Sequence, residues 1–141
     1  MKVTGIVYPI PKEILTSLFE NNKNIFIKFT THEPSKKTII KLKKGMTIYF
    51  YESHSNKCVV GDAIISNVDY LVLNEVLRIH NKKLMISKRS LKEYAKGRED
   101  KKLLVLTMKK INKYLIPKKT KKSITMAGCY INNENKKEIF E

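Results

Sequence analysis

Cysteine, long apolar runs and glycine-rich loops are all scarce in this chain, and each shortage removes a class of protein. The two cysteines among 141 residues, Cys58 and Cys129, sit in dissimilar contexts without a CxxC partner. They are too few for the disulfide framework of a secreted scaffold. No apolar run approaches the ~18 residues of a spanning helix, and the N-terminus lacks a signal-like pattern. A soluble, cytoplasmic chain with no membrane partner is expected. The nearest approach to a phosphate-cradling loop, Lys43-Lys44-Gly45, lacks the companions a P-loop requires, which removes the nucleotide-hydrolase reading. His54 and Cys58 are four apart but have no second pair at ligand spacing, so no tetrahedral metal site is specified and no cofactor is expected.

Acidic residues are the most informative shortage. Against 29 Lys and Arg stand only 13 Asp and Glu, a net charge of +16. Residues 1–70 carry 10 basic and 6 acidic side chains, whereas residues 71–141 carry 19 and 7, and the span from Lys101 to Asn133 has no acid at all. Compositional bias accounts for 26 Lys against 3 Arg, but lysine-rich thermophile surfaces carry matching Glu in ion-pair networks, and here the Glu is missing. An unbalanced positive field attracts polyanions through counterion release. RNA or another nucleic acid is therefore the leading partner class, ahead of a solvated, non-binding basic face and an anionic membrane surface; a third reading is a basic tail that docks an acidic protein, and nothing specifies the oligomeric state.

Hydrophobic periodicity gives the element order. Val3–Tyr8 is short, β-branched and bounded by Pro9, a strand. Pro11 suits a first helical turn, and Ile14, Leu15, Leu18 and Phe19 recur on one helical face up to Asn21-Asn22. Ile25, Ile27 and Phe29 alternate as a second strand, His32-Glu33-Pro34-Ser35 breaks it, and Thr38–Leu42 reads as a short third. In GMTIYFYESHSNKCVVGDAIIS (Gly45–Ser66), Met46, Ile48 and Phe50 point to one face and Thr47, Tyr49 and Tyr51 to the other. Val59, Gly61, Ala63 and Ile65 make the returning strand of a hairpin, with Gly61 marking a bulge. Asp69 is a plausible N-cap for a helix that turns Val72, Val76 and Ile79 inward with Leu73 and Leu77. Asn81–Ile86 is a connector or a short strand, and Ser87 caps a second helix that ends near Gly97 with Leu91, Tyr94 and Ala95 facing inward. Lys102–Ile111 is apolar enough for a central strand buried on both faces. Pro117 and its neighbouring lysines (Lys113, Lys118, Lys119, Lys121, Lys122) predict an exposed loop, Ile124–Ile131 a last strand, and residues from Asn132 a polar tail. A single domain over residues 1–141 follows: an α+β fold on a curled, mostly antiparallel sheet, closed as a small barrel.

The order PIPKEILTSLFENNKNIFIKF, LKKGMTIYFYES, KCVVGDAII, SLKEYAKG, KLLVLTMKKI and SITMAGCYI resembles an uncharacterised archaeal family over nearly the whole chain. More remotely it resembles the PUA-like superfamily that includes the ASCH and EVE domains. The wider likeness rests on a helix and turn feeding a strand (Asn22-Lys23 into Ile25–Phe29) and on the paired strands Gly45–Glu52 and Cys58–Ile65. It implies a PUA-like pseudo-barrel of mixed, mostly antiparallel strands with short flanking helices, and RNA or modified-base binding in a cleft beside the barrel. One ASCH group hydrolyses an acetylated cytidine with a Lys and a Thr three apart. Lys23 matches the lysine, but Phe26 stands where the threonine belongs, and a phenyl ring has no ionisable oxygen for a nucleophile. Direct transfer of that activity fails, leaving Thr30, Thr31 or Ser53 for a shifted site. The strand arginine usual in ASCH domains is also absent, with Lys28 the nearest cation.

No catalytic residue is assigned. Glu52 beside His54 makes an acid/base pair only if both face a cleft, and is otherwise solvated. The expected nucleic-acid contacts are Lys23, Lys28, Lys43 and Lys44 at strand ends, and Lys88, Arg89 and Arg98 around the second helix. Lys118, Lys119, Lys121 and Lys122 add a backbone-tracking loop, and His54 lies on the hairpin edge. Tyr49 and Tyr51 either stack on an unpaired base or are core beneath a covering helix. The runner-up activity is a small hydrolase acting on a modified nucleoside or RNA.

Overall fold

The computed structural model describes residues 2–29, 42–53, 58–121 and 123–140. Its elements in chain order are β1 (Val3–Ile10), α1 (Lys12–Asn21), β2 (Ile25–Phe29), β3 (Thr47–Glu52), β4 (Cys58–Leu71), α2 (Leu73–His80), α3 (Lys88–Tyr94), β5 (Leu103–Lys119), β6 (Cys129–Asn132) and α4 (Lys136–Ile139). The strands form one sheet in the order β2-β5-β4-β3-β1-β6. Among the described strands only β1 and β3 pair in parallel; their other neighbouring pairs are antiparallel.

Period-two alternation sorts the side chains as the sequence predicts. Ile6, Tyr8, Ile10, Phe26, Ile48, Phe50, Ala63, Ile65, Leu104, Leu106 and Met108 share the inner face, with Leu15 and Leu18 of α1 packed among them. The outer face carries two separate apolar clusters. At one end Leu73, Val76, Leu91 and Ala95 of the α2–α3 region cover Ile25, Ile27, Leu103 and Val105. At the other, Ile124 and Ile139 cover Val7, Tyr51 and Val59. The opening of β5 is thus buried on both faces, which is why its sequence shows no polar alternation.

The hairpin is bent where Gly61 stands. The β3–β4 register shifts between Phe50 and Tyr51, and the β4–β5 register shifts between Val59 and Gly61. A Cβ at position 61 would lie 2.5 Å from the Asn112 carbonyl oxygen and 2.9 Å from the Phe19 ring, so the backbones approach as they do only because no side chain intervenes.

Several expectations are corrected. No backbone ladder joins the edge strands β2 and β6 among the described residues, so the sheet curls without closing as a barrel. Strand β1 continues through Pro9 to Ile10 because its β6 neighbour stops at Val7, leaving Pro9 paired on the β3 side alone. Asp69 is not a cap: Asp69, Tyr70 and Leu71 pair with Val105, Leu104 and Leu103, and α2 begins only at Leu73. There the Glu75 carboxylate accepts from the Val72 N–H. One consequence is that Ile79 turns outward, half exposed. Tyr94 is likewise partly exposed, its ring tilted against that of Phe29 at 5.1 Å between centroids. The lysines after Ile111 lie mostly on strand, since β5 runs on to pair Lys118 and Lys119 with Val59 and Cys58. The polar tail docks through α4 by burying Ile139. Of the expected third strand, Thr38–Lys41 lie outside the described residues and Leu42 is buried.

Candidate functional site at the sheet seam

Curling brings the two edges of the sheet within side-chain reach, and that seam is the candidate site. On β2, alternation turns Phe26 and Lys28 inward while Ile25, Ile27 and Phe29 face the helices. Across the gap the Phe26 ring meets Tyr8 of β1 at 5.6 Å between centroids. The Lys28 ammonium lies 5.3 Å from the Tyr8 ring centre and donates to the Met126 carbonyl. Tyr70 of β4 and Tyr130 of β6 pack against the same inner cluster. Gly128 allows the fit: it adopts φ +82, and a Cβ there would lie 2.8 Å from two carbons of the Tyr8 ring. Thr125–Gly128 closes as a turn, Gly128 N–H donating to the Thr125 carbonyl at 2.9 Å, with Met126 exposed beside the seam.

The electrostatics follow from burial. Desolvation lowers the pKa of Lys28, because a half-buried ammonium loses hydration. Among the described residues no carboxylate pairs with it; the ion pair found there is Arg89–Glu93, on the exposed face of α3. Burial, then the neighbouring Tyr130 and Tyr70, push the Tyr8 phenol far above the usual tyrosine range. Tyr70 and Tyr130 are raised by burial first and, for Tyr130, by Tyr70 next. The seam therefore presents a cation with no carboxylate partner among the described residues, beside phenols that stay neutral at physiological pH. Such a set suits an anionic or hydrogen-bonding ligand with an aromatic body.

Tyr114 adds a fourth raised phenol outside the seam, shifted by burial and by its 2.6 Å hydrogen bond to the Asp62 carboxylate. Folding that holds phenols protonated contributes stability in full below the unfolded tyrosine value of about 10. That contribution is lost as pH rises through the folded values. In an alkaline titration, Tyr8, Tyr70, Tyr114 and Tyr130 should ionise later than free tyrosine and in step with loss of circular dichroism. Complete phenolate absorbance near the free-tyrosine value with the fold intact would contradict this. Lys28 has the opposite sign: its folded value is depressed, so stability rises as pH climbs from that value toward that of ordinary lysine.

Of the residues singled out from sequence, Lys28 alone reaches the seam. Lys23 is partly buried and donates to the Lys82 carbonyl at 2.8 Å, on the outer side near α2. Lys43 and Lys44 are exposed in the turn before β3, and Lys88 is exposed at the start of α3. Arg89 pairs with Glu93 at 3.7 Å. The Arg98 guanidinium stacks 4.0 Å over the Phe29 ring and 5.1 Å over that of Tyr94. Lys118 and Lys119 are exposed on β5, and exposed Lys121 donates to the Lys137 carbonyl at 2.6 Å. His54 and Lys122, with Thr30 and Thr31, lie outside the described residues. For Tyr51 the covering alternative holds: it is buried beneath the Ile124 and Ile139 cluster. Tyr49 is half-covered, its ring 5.2 Å from Phe140 with Lys136 above it.

Tyr8, Tyr70 and Tyr130 escaped sequence reasoning. Each lies on a different strand, no local spacing marks them, and Tyr70 fell inside a segment that reads as helix. Among the described residues no group of three or more His, Cys, Asp or Glu converges as a metal site, and no helix is long and apolar enough to cross a membrane.

The chain belongs to the family described as "Domain of unknown function (DUF365)", whose model matches residues 3–133. Comparison with curated proteins gives no match. Among solved structures, the ASCH protein of Zymomonas mobilis superposes with a TM-score of 0.70 at 12% identity, covering 96% of this chain and 92% of that one. A tyrosine-to-phenylalanine mutant of the same protein gives 0.70 at 11%, covering 96% and 95%. A serine-to-alanine mutant gives 0.66 at 13%, covering 96% and 93%. At these identities the likeness is one of fold alone: an α+β domain folded like that ASCH protein.

Proposed function

We propose that this DUF365 member binds nucleic acid, RNA in the first instance, and takes an unpaired nucleotide at the seam between β2 and the β1–β6 edge. The carrying observation is Lys28, a half-buried cation with no carboxylate partner among the described residues, lying over the Tyr8 ring, with Tyr70 and Tyr130 neighbouring Tyr8, in a chain of net charge +16. A phosphate there would supply a counter-charge, a base carbonyl would accept a hydrogen bond from the ammonium, and a phenol hydroxyl such as that of Tyr70 is a donor suited to the edge of a base.

Single-stranded RNA binding measured over a salt series tests this reading. Affinity should fall linearly with log salt concentration. Lys28→Ala should weaken it roughly 10- to 100-fold, the worth of about 1.5–3 kcal/mol for a hydrogen bond to a charged group. Binding absent at low salt, or indifferent to salt, sinks the proposal. Affinity should also decline on the alkaline side sooner than ordinary lysines would dictate, because the depressed pKa of Lys28 removes its charge first.

A hydrolytic reading rests on the same side chain. A lysine that sheds its proton below the ordinary range is a better base or nucleophile than a solvated one, and neutral phenols beside it are donors for a developing oxyanion. Turnover of acylated nucleosides or RNA that is abolished in Lys28→Ala would establish it. No turnover by the parent protein removes it.

A further inference from the structure

The far end of β5 carries a feature that the seam does not use. Gly61 pairs with Lys113 and Val59 with Lys118, so Tyr114, Leu115, Ile116 and Pro117 bulge out opposite Val60 alone. At the crest Leu115 is 98% exposed and Ile116 78% exposed. The bulge is held at its base: the Tyr114 hydroxyl donates to the Asp62 carboxylate at 2.6 Å, the Lys118 ammonium lies 5.2 Å from the Tyr114 ring centre, and the Lys113 ammonium 5.7 Å from that of Phe19. Beyond Thr107, β5 has lost its β2 neighbour, and this open edge displays Lys109, Lys110, Lys113, Lys118 and Lys119, all exposed. Lysines on an edge strand discourage strand addition. That accounts for the cations but not for two bare aliphatic side chains at the crest of an anchored bulge.

We propose that Leu115 and Ile116 form an apolar wedge that docks against a base step of a double-helical nucleic acid, with the β5 lysines gripping the flanking phosphates. Charge complementarity selects the partner: the segment from Lys101 to Asn133 contains no acid, and the five exposed β5 lysines outnumber Glu20 and Glu52, which line the hollow beside Leu115 and Pro117. The arrangement selects its form: cations strung along a strand at ~3.3 Å per residue follow a phosphate backbone, whereas a bilayer surface would meet a plane of charge. Aliphatic wedges are what duplex-bending proteins insert between base pairs, while single strands are held by stacked aromatic rings. The crest carries no aromatic side chain, and Tyr114 behind it is half-buried. Anchoring by Asp62 and Pro117 means that little ordering remains to oppose binding.

The full chain should be titrated against a fluorescent-base hairpin duplex and, separately, a single strand. In the parent protein, duplex binding should raise the fluorescence of a reporter base as its step unstacks. Leu115→Ser/Ile116→Ser should weaken duplex affinity about tenfold, abolish the fluorescence rise and leave the salt slope unchanged. Lys118→Gln/Lys119→Gln should instead reduce the slope by about 1 for each lost phosphate contact. Single-strand affinity should be unmoved by the wedge variant and sensitive to Lys28→Ala, so failure of the seam reading and failure of the wedge are told apart. Unaltered duplex affinity and fluorescence in Leu115→Ser/Ile116→Ser overturns the proposal. So does co-sedimentation with anionic vesicles that depends on Leu115 and Ile116 while duplex binding does not.

Discussion

Gly128→Val is expected to cost about 3 kcal/mol or more of stability and to abolish single-strand binding. Two effects add. At φ +82 a β-branched residue pays roughly 1–2 kcal/mol for left-handed backbone. The new Cβ would also sit 2.8 Å from the Tyr8 ring and 2.9 Å from the Val7 carbonyl oxygen. Tyr8 cannot retreat, since it is 3% exposed and packed against Phe26, and overpacking of this kind adds about 1–3 kcal/mol. Urea unfolding should show a lower midpoint at unchanged slope. Gly97→Val is the control, because Gly97 has the same φ of +82 with nothing within 4 Å of its would-be Cβ. It should show the backbone cost alone, with binding intact. Equal losses at the two positions would mean that Gly128 is conformational only and that the ring contact is immaterial.

Gly61→Val is expected to be similarly severe for a different reason. Its backbone is not in the left-handed region, so the penalty is contact alone: the Asn112 carbonyl oxygen at 2.5 Å, the Phe19 ring at 2.9 Å and the Lys113 Cα at 3.3 Å. Phe19 is itself braced edge-on against Phe50 at 5.9 Å, and the main-chain atoms cannot rotate aside. Strands β4 and β5 must part at the bulge, for about 3 kcal/mol, and Gly61→Ala should already show much of the loss because the first added carbon makes the contact. Measured where the variant is still folded, duplex affinity should drop more than single-strand affinity, since the disturbed backbone leads into Tyr114–Pro117. A near-neutral Gly61→Ala would show that the strands relax freely there.

How much was legible beforehand divides along physical lines. Signals that act over a few residues translated well: the Met46, Ile48 and Phe50 alternation, the Ser87 cap, whose hydroxyl accepts from Ser90 N–H at 3.1 Å, and the bend at Gly61. Readings failed where a neighbouring strand outvoted local preference. Asp69 is a good cap in isolation, yet a ladder to Val105 holds it extended. Lys118 and Lys119 look like loop, yet β4 supplies hydrogen bonds for them. Tyr51 and Ile139 could not be known to meet without the topology. The seam is the extreme case. Lys28 was visible as a cation, but its setting depends on Tyr8, Tyr70 and Tyr130 arriving from three strands, and only the curl of the sheet brings them together.

That curl also sets an order of events in time. Strand β1 is held between β3, in parallel, and β6, with Thr4 Oγ1 reaching the Ile131 carbonyl across 127 positions of sequence. Parallel pairing and distant partners place this edge among the contacts that close slowly, because the loop entropy must be overcome before they return any energy. The β3–β4 hairpin can form locally and early; β1 and β6 follow. Tyr8 and Tyr130 ride on those late strands, so a refolding chain should regain its sheet signal before it regains the seam. Ligand binding should then report the last kinetic phase, not the first.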